Sequence, residues 1–180
     1  MKVLKFKLLK GGDEGIKIDA KEYLPSGNVK IVDDVSRTRK IMISDNLRAE
    51  IKKLKYFFLN LTGHWIGPYQ KFYDKETYSL IDVQADAENA HILVKNLWNK
   101  TEITGAKATE NEGFLITGTI ETVEGKKMGF TTPWVTADDD IGFFYDAMDV
   151  ISQIATGIAE YVTNMAISIE DAVKKAKGGE

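Results

Sequence analysis

The stretch Asp13-Glu14-Gly15-Ile16-Lys17-Ile18-Asp19-Ala20 and its counterpart Asn111-Glu112-Gly113-Phe114-Leu115-Ile116-Thr117-Gly118 decide the fold. Each opens on polar turn formers and a glycine, then runs on as a short apolar-rich strand. In the first, Ile16, Ile18 and Ala20 alternate with Lys17 and Asp19, which puts one face on a core and the other in water. Gly15 and Gly113 are 98 residues apart, as are Gly27 and Gly125, whereas Lys7 and Lys107 are 100 apart. The two segments therefore read as copies that differ by a short turn insertion.

Working outward, Leu4-Lys5-Phe6-Lys7 precedes the first stretch as Thr104-Gly105-Ala106-Lys107 precedes the second. Pro25-Ser26-Gly27-Asn28 is a turn signal, Val29-Lys30-Ile31-Val32 is the next strand, and Lys40-Ile41-Met42-Ile43 is a candidate fourth. Ser44-Asp45-Asn46 then supplies capping chemistry for a helix with Leu47, Ile51, Leu54, Phe58 and Leu61 on one stripe, stopped at Gly63. Gly63 to Glu76, rich in aromatic residues, reads as an ordered loop. Leu80 to Val83 reads as a strand, and Ala85 to Asn99 as a helix or as a segment ending in a strand at His91–Val94. A second helix begins near Asp138-Asp139-Asp140 and carries Phe144, Met148, Ile151, Ala155, Ile158, Val162, Met165 and Ile169 in alternating steps of four and three. Gly157 inside it marks close packing or a bend.

The expected fold is α+β: antiparallel β-meanders in two similar halves, each followed by a helix, with a long C-terminal helix. Residues 1–180 form a single domain, with pseudo-repeat halves 1–75 and 100–177 joined by 76–99. Helices cover one face of the sheet. The other face stays partly open, and an open curved sheet is a common binding platform.

Composition narrows the chemistry. The 180 residues are 43% hydrophobic and 28% charged with 3 Pro, which excludes disorder as the main state. The absence of cysteine excludes disulfides and thiolate catalysis, and two histidines leave little for a metal site. No apolar run approaches the roughly 18 residues of a membrane span, and the N-terminus lacks the apolar core of a signal peptide. These features predict a cytoplasmic protein with no membrane partner. No phosphate-binding glycine loop or nucleophile-elbow motif occurs, so neither an enzyme nor a cofactor is expected. His64 reads as loop packing, His91 as an edge residue, and Asp138 to Asp140 as helix capping.

Over about two thirds of its length, the chain also resembles an uncharacterised family of small proteins encoded by tailed bacteriophages, whose members share an N-terminal meander beginning with alternating Lys and apolar residues, then a helix, and a related second half. The matching segments are Ile103-Thr104-Gly105-Ala106, Leu115-Ile116-Thr117-Gly118, Phe130-Thr131-Thr132-Pro133 and the helix from Asp138. The resemblance implies a phage gene among replication and recombination genes, acting in the host cell cytoplasm. It implies no established activity and no site residues.

Charge is unevenly placed. Lys30 to Phe58 carries eight basic and four acidic residues, whereas Pro133 to Thr163 carries six acidic residues and no Lys or Arg. The basic segment leads into an aromatic loop, the combination that single-stranded nucleic acid requires. The candidate nucleic-acid-binding residues are Arg37, Arg39, Lys40, Lys52, Lys55, Trp65 and Tyr69. The alternative is that the lysines form the solvated face of the helix and the aromatics fill its core. The functional expectation is a non-enzymatic phage accessory protein binding single-stranded DNA in replication or recombination. Two alternatives stay open: an interaction protein that inhibits or sequesters a host factor, and a virion structural or assembly protein. Opposite charge on the two halves, with a long apolar stripe on the last helix, also predicts a homodimer.

Overall fold

The computed structural model describes residues 1–26, 29–40, 42–64, 73–74, 76–80, 89–109 and 112–177. In chain order, β1 (Lys2–Leu9), β2 (Gly15–Ser26) and β3 (Val29–Arg39) lead to α1 (Asp45–Leu61). Two short paired strands, β4 (Tyr73–Asp74) and β5 (Ser79–Leu80), and α2 (Asn89–Lys100) follow. Then come β6 (Thr101–Thr109), β7 (Gly113–Glu121), β8 (Lys127–Thr131) and α3 (Phe144–Lys177). The fold is α+β, built on a six-stranded antiparallel sheet of order β3-β2-β1-β6-β7-β8.

Two meanders meet at the centre of this sheet. Phe6 lies opposite Ala106, with Lys5 opposite Lys107 and Lys7 opposite Gly105. Under the 100-residue offset the pairs on either side of Phe6 exchange with each other, so a local two-fold axis passes through Phe6 and Ala106. β1 is irregular between Val3 and Lys5, and β6 between Ile103 and Gly105, at the same offset. In the second strands, Leu8 pairs with Ile16 as Ala108 pairs with Phe114. Gly15 and Gly113 enter those strands at φ of 118° and 151°, where a side chain would be strained. At Gly113 a side chain would also meet the Val135 carbonyl oxygen.

One face of the sheet is apolar. Phe6, Leu8, Ile16, Ile18, Ile103, Phe114 and Ile116 are buried there in one cluster with residues of the helices. The helices cross between the halves: α1 lies over β6 and β7, and α3 lies over β1 and packs against α1. The Ser44 hydroxyl caps α1 by accepting from the Leu47 N–H at 3.3 Å. Gly63 closes it at φ 73°, with the Gly63 and His64 N–H groups bonding the Asn60 and Leu59 carbonyls. The stripe residues Leu47, Ile51, Leu54 and Phe58 are buried, as are Tyr56, Phe57 and Leu59; Tyr56 stacks on Tyr73 of β4, and Tyr56 and Phe57 both pack against Phe143, just before α3.

Two segments differ from expectation. β3 runs on to Arg39 because an edge strand needs no apolar alternation; its Asp34 pairs opposite Lys21 and its Arg37 ion-pairs with Glu22. Met42 and Ile43 are not in a strand, since Ile43 turns inward to bond the Gly12 carbonyl and bury its side chain against that residue. Residues 89–99 are helical, while 81–88 lie outside the described residues.

Two glycines make opposite predictions. A Cβ at Gly118 would fall 2.8 Å from both the Glu102 carbonyl oxygen and Phe58 Cζ, the contact by which α1 sits on β7. Gly118→Ala should cost about 1–3 kcal/mol by overpacking. Among the described residues, a Cβ at Gly157 would meet only Leu47 Cδ1, at an ordinary 3.5 Å. Gly157→Ala should therefore raise stability by about 1 kcal/mol through helix propensity. Urea unfolding of both variants checks the two signs.

Candidate nucleic-acid interface

The face of the sheet turned away from α1 and α3 collects lysines. Lys5, Lys7 and Lys17 alternate with buried Phe6, Leu8, Ile16 and Ile18, and Lys107 follows buried Ala106, so all four project from the open side and are exposed. Strand pairing sets Lys5 opposite Lys107 and Lys7 opposite Lys17. Among the described residues none of the four has an ion pair. Asp19 stands opposite Lys5 in β2, and Glu102 is engaged by Lys127 at 2.6 Å. Beside the lysines lies a shallow depression of about 370 Å³ floored by β1, β6, β7 and β8, with Leu115, Thr117 and Thr131 among its lining residues. Like charges directly opposite in a ladder destabilise it, so this arrangement costs the free protein stability.

A short detour of the chain brings an aromatic ring to this patch. Pro133 cannot donate to the ladder, and β8 ends at Thr131. Buried Thr132 bonds Ile116 in both directions: its N–H donates to the Ile116 carbonyl, and its Oγ1 accepts the Ile116 N–H, both at 2.9 Å. Val135 then rejoins Phe114 through two 2.9 Å backbone bonds. Val135 is buried on the apolar side, so Trp134 turns to the open side. Its ring lies where a Gly113 side chain would be, with Nε1 2.8 Å from that position, and the Lys107 Nζ stands 5.5 Å from the ring centroid.

The residues expected from sequence are dispersed. Arg37 and Arg39 lie on the helix side of β3, opposite Ile18 and Ile16, and Arg37 is held by Glu22 at 2.5 Å. Lys40, just past the strand, is exposed, as is Lys52 on α1. Arg48 ties the start of α1 to Gly11 and Asp13, and the helix then runs toward β7, away from the β3 edge. Lys55 is half-buried; its Nζ donates to the Trp98 carbonyl at 2.9 Å and lies 5.5 Å from the Trp98 ring. Trp65 and Tyr69 lie outside the described residues. Sequence reasoning did not single out Lys5, Lys7, Lys17, Lys107 or Trp134 as site residues. The alternating lysines of β1 were a visible signal, but their meeting with Lys107 needs the β1–β6 pairing.

Other chemistry is sparse. Among the described residues no group of three or more His, Asp or Glu side chains is placed to hold a metal ion. Asp139 accepts from the Thr136 N–H at 2.6 Å and from its hydroxyl at 2.9 Å, and these bonds hold its carboxyl below the usual range. His64 pairs with the Thr62 hydroxyl at 2.9 Å and packs edge-on against Phe130. A cleft of about 320 Å³ between β1 and α3 is mainly aliphatic, lined by Val3, Met148, Ile151 and Ala155 among others.

Burial, reinforced by the nearby Lys52 charge, lowers the Lys55 pKa from 10.5 to about 8. The unfolded chain then binds more protons than the folded one between those values, so this group adds stability as pH rises from about 8 to 10.5. Lys55→Met should remove that contribution, making the variant more stable relative to the parent at pH 7 than at pH 10. Urea midpoints at the two pH values measure the difference.

Comparison with protein-family models, with curated proteins and with solved structures finds no match to this chain, and nothing in them ties it to the phage-encoded family.

Proposed function

We propose that this chain is a non-enzymatic binding protein for single-stranded nucleic acid and that the open sheet face is its contact surface. The observation that carries the reading is Lys5 facing Lys107 across the β1–β6 seam, flanked by Lys7 and Lys17 and bordered by Trp134. A phosphate backbone laid over the seam relieves the repulsion between the lysines and releases its own counterions. Trp134 offers a face for stacking, which an unpaired base can meet whatever its identity. A duplex keeps its base faces covered, so the ring favours a single strand. DNA replication or recombination, the setting implied by the phage resemblance, is where such strands are exposed.

The segment from Arg37 to Lys55 supports this function less well. Arg37 is committed to Glu22 and Lys55 to the Trp98 carbonyl, which leaves half-buried Arg39 on the edge strand and exposed Lys40 and Lys52 as scattered cations.

Anisotropy of a labelled oligonucleotide tests the reading. Lys5→Gln/Lys107→Gln should weaken binding and lower the slope of log K against log salt by about 0.7 for each phosphate that no longer meets a lysine. Trp134→Ala should weaken it by about 1–3 kcal/mol with the slope nearly unchanged. Lys52→Gln should leave both unaltered. Absence of binding by the parent at about 50 mM salt, or full binding by the double variant, refutes the proposal.

A further inference from the structure

Among the described residues, β3 is the outer strand of the sheet and has a hydrogen-bonding partner on one side only, β2. Its far side presents backbone donors and acceptors, a template for a further strand. Asp33, Val35, Arg37 and Arg39 share the helix-side face, opposite Glu22, Ala20, Ile18 and Ile16. Asp34, Ser36 and Thr38 share the open face. On the helix side Arg37 is neutralised by Glu22, but Arg39 is half-buried and its Nε is buried without a hydrogen-bond partner. Asp33 is exposed and, among the described residues, has no ion pair. One strand thus carries an unanswered carboxylate and an unanswered guanidinium six residues apart on one face.

We infer that β3 pairs antiparallel with β3 of a second copy about a two-fold axis at Ser36, giving a continuous twelve-stranded sheet. This register places Asp33 opposite the partner's Arg39, and Arg39 opposite the partner's Asp33. Both orphaned charges are answered, in two symmetry-related pairs, as an isologous interface requires. The neighbouring register, centred on Val35, would set Asp33 against the partner's Arg37, which Glu22 already holds, and would leave Arg39 alone. An axis normal to the sheet keeps the lysine faces of both copies on the same side. The inference stands whether or not that face binds nucleic acid, because it rests on the edge strand alone.

Light scattering of the parent should give twice the 20.1 kDa chain mass at micromolar concentration. Asp33→Arg and Arg39→Asp should each weaken association by about tenfold or more, and the double variant D33R/R39D should recover it. Ser36→Cys provides a test that does not perturb the charges, since the chain has no cysteine of its own. Directly opposite residues have Cα atoms about 4.5–5.5 Å apart, within reach of a disulfide. Oxidised S36C should run as a covalent dimer, whereas Thr131→Cys on the other edge strand, β8, should not. A parent that stays monomeric, an S36C chain that fails to cross-link, equal cross-linking through T131C, or a double variant no better associated than the single ones overturns the inference.

Discussion

The backbone hydrogen bonds between β1 and β6, centred where Phe6 lies opposite Ala106, join two three-stranded meanders into one sheet. A meander with one apolar face must bury that face against another element. Here each supplies the other's neighbour, and the helices exchange covers. α1 leaves the first meander to lie on β6 and β7, where Phe58 fills the space left by Gly118, and α3 comes back to lie on β1. Breaking the seam would therefore separate both helices from the strands that bury them.

The same seam has a consequence on the other side of the sheet. Pleating forces the neighbours of Phe6 and Ala106 outward, and those neighbours include Lys5, Lys7 and Lys107. The pairing that completes the apolar core thus concentrates like charge in water. Trp134 reaches this patch only because Pro133 interrupts β8 and Thr132 satisfies the Ile116 backbone in its place. The polar connection after β8 is in this sense part of the surface it borders.

Much of the framework was legible in local sequence. The Ser44 cap, the Leu47 to Phe58 stripe and the long apolar spacing of α3 are short-range patterns with direct physical meaning, and the glycine and lysine offsets show as a repeat of such local patterns. β3 beyond Val32 was not, because Asp33 to Arg39 has the composition of a loop and becomes a strand through its register with β2. The candidate surface was less legible still. Lys52 and Lys55 are close in sequence, yet Lys55 is turned to the α2 carbonyl of Trp98; Lys5 and Lys107 are a hundred residues apart, yet directly opposed. Charge density along a chain indicates which segments are basic, but long-range strand pairing decides which cations share a face.

Adding a single-stranded oligonucleotide to the isotope-labelled protein and following its backbone and indole amide signals by NMR tests the central claim most directly. Shifts concentrated at Lys5, Lys7, Lys17, Lys107, Leu115, Thr117 and the Trp134 indole are the expected result. Shifts confined to α1 around Lys52 and to the outer strand around Arg37, with the β1–β6 face unmoved, would contradict it.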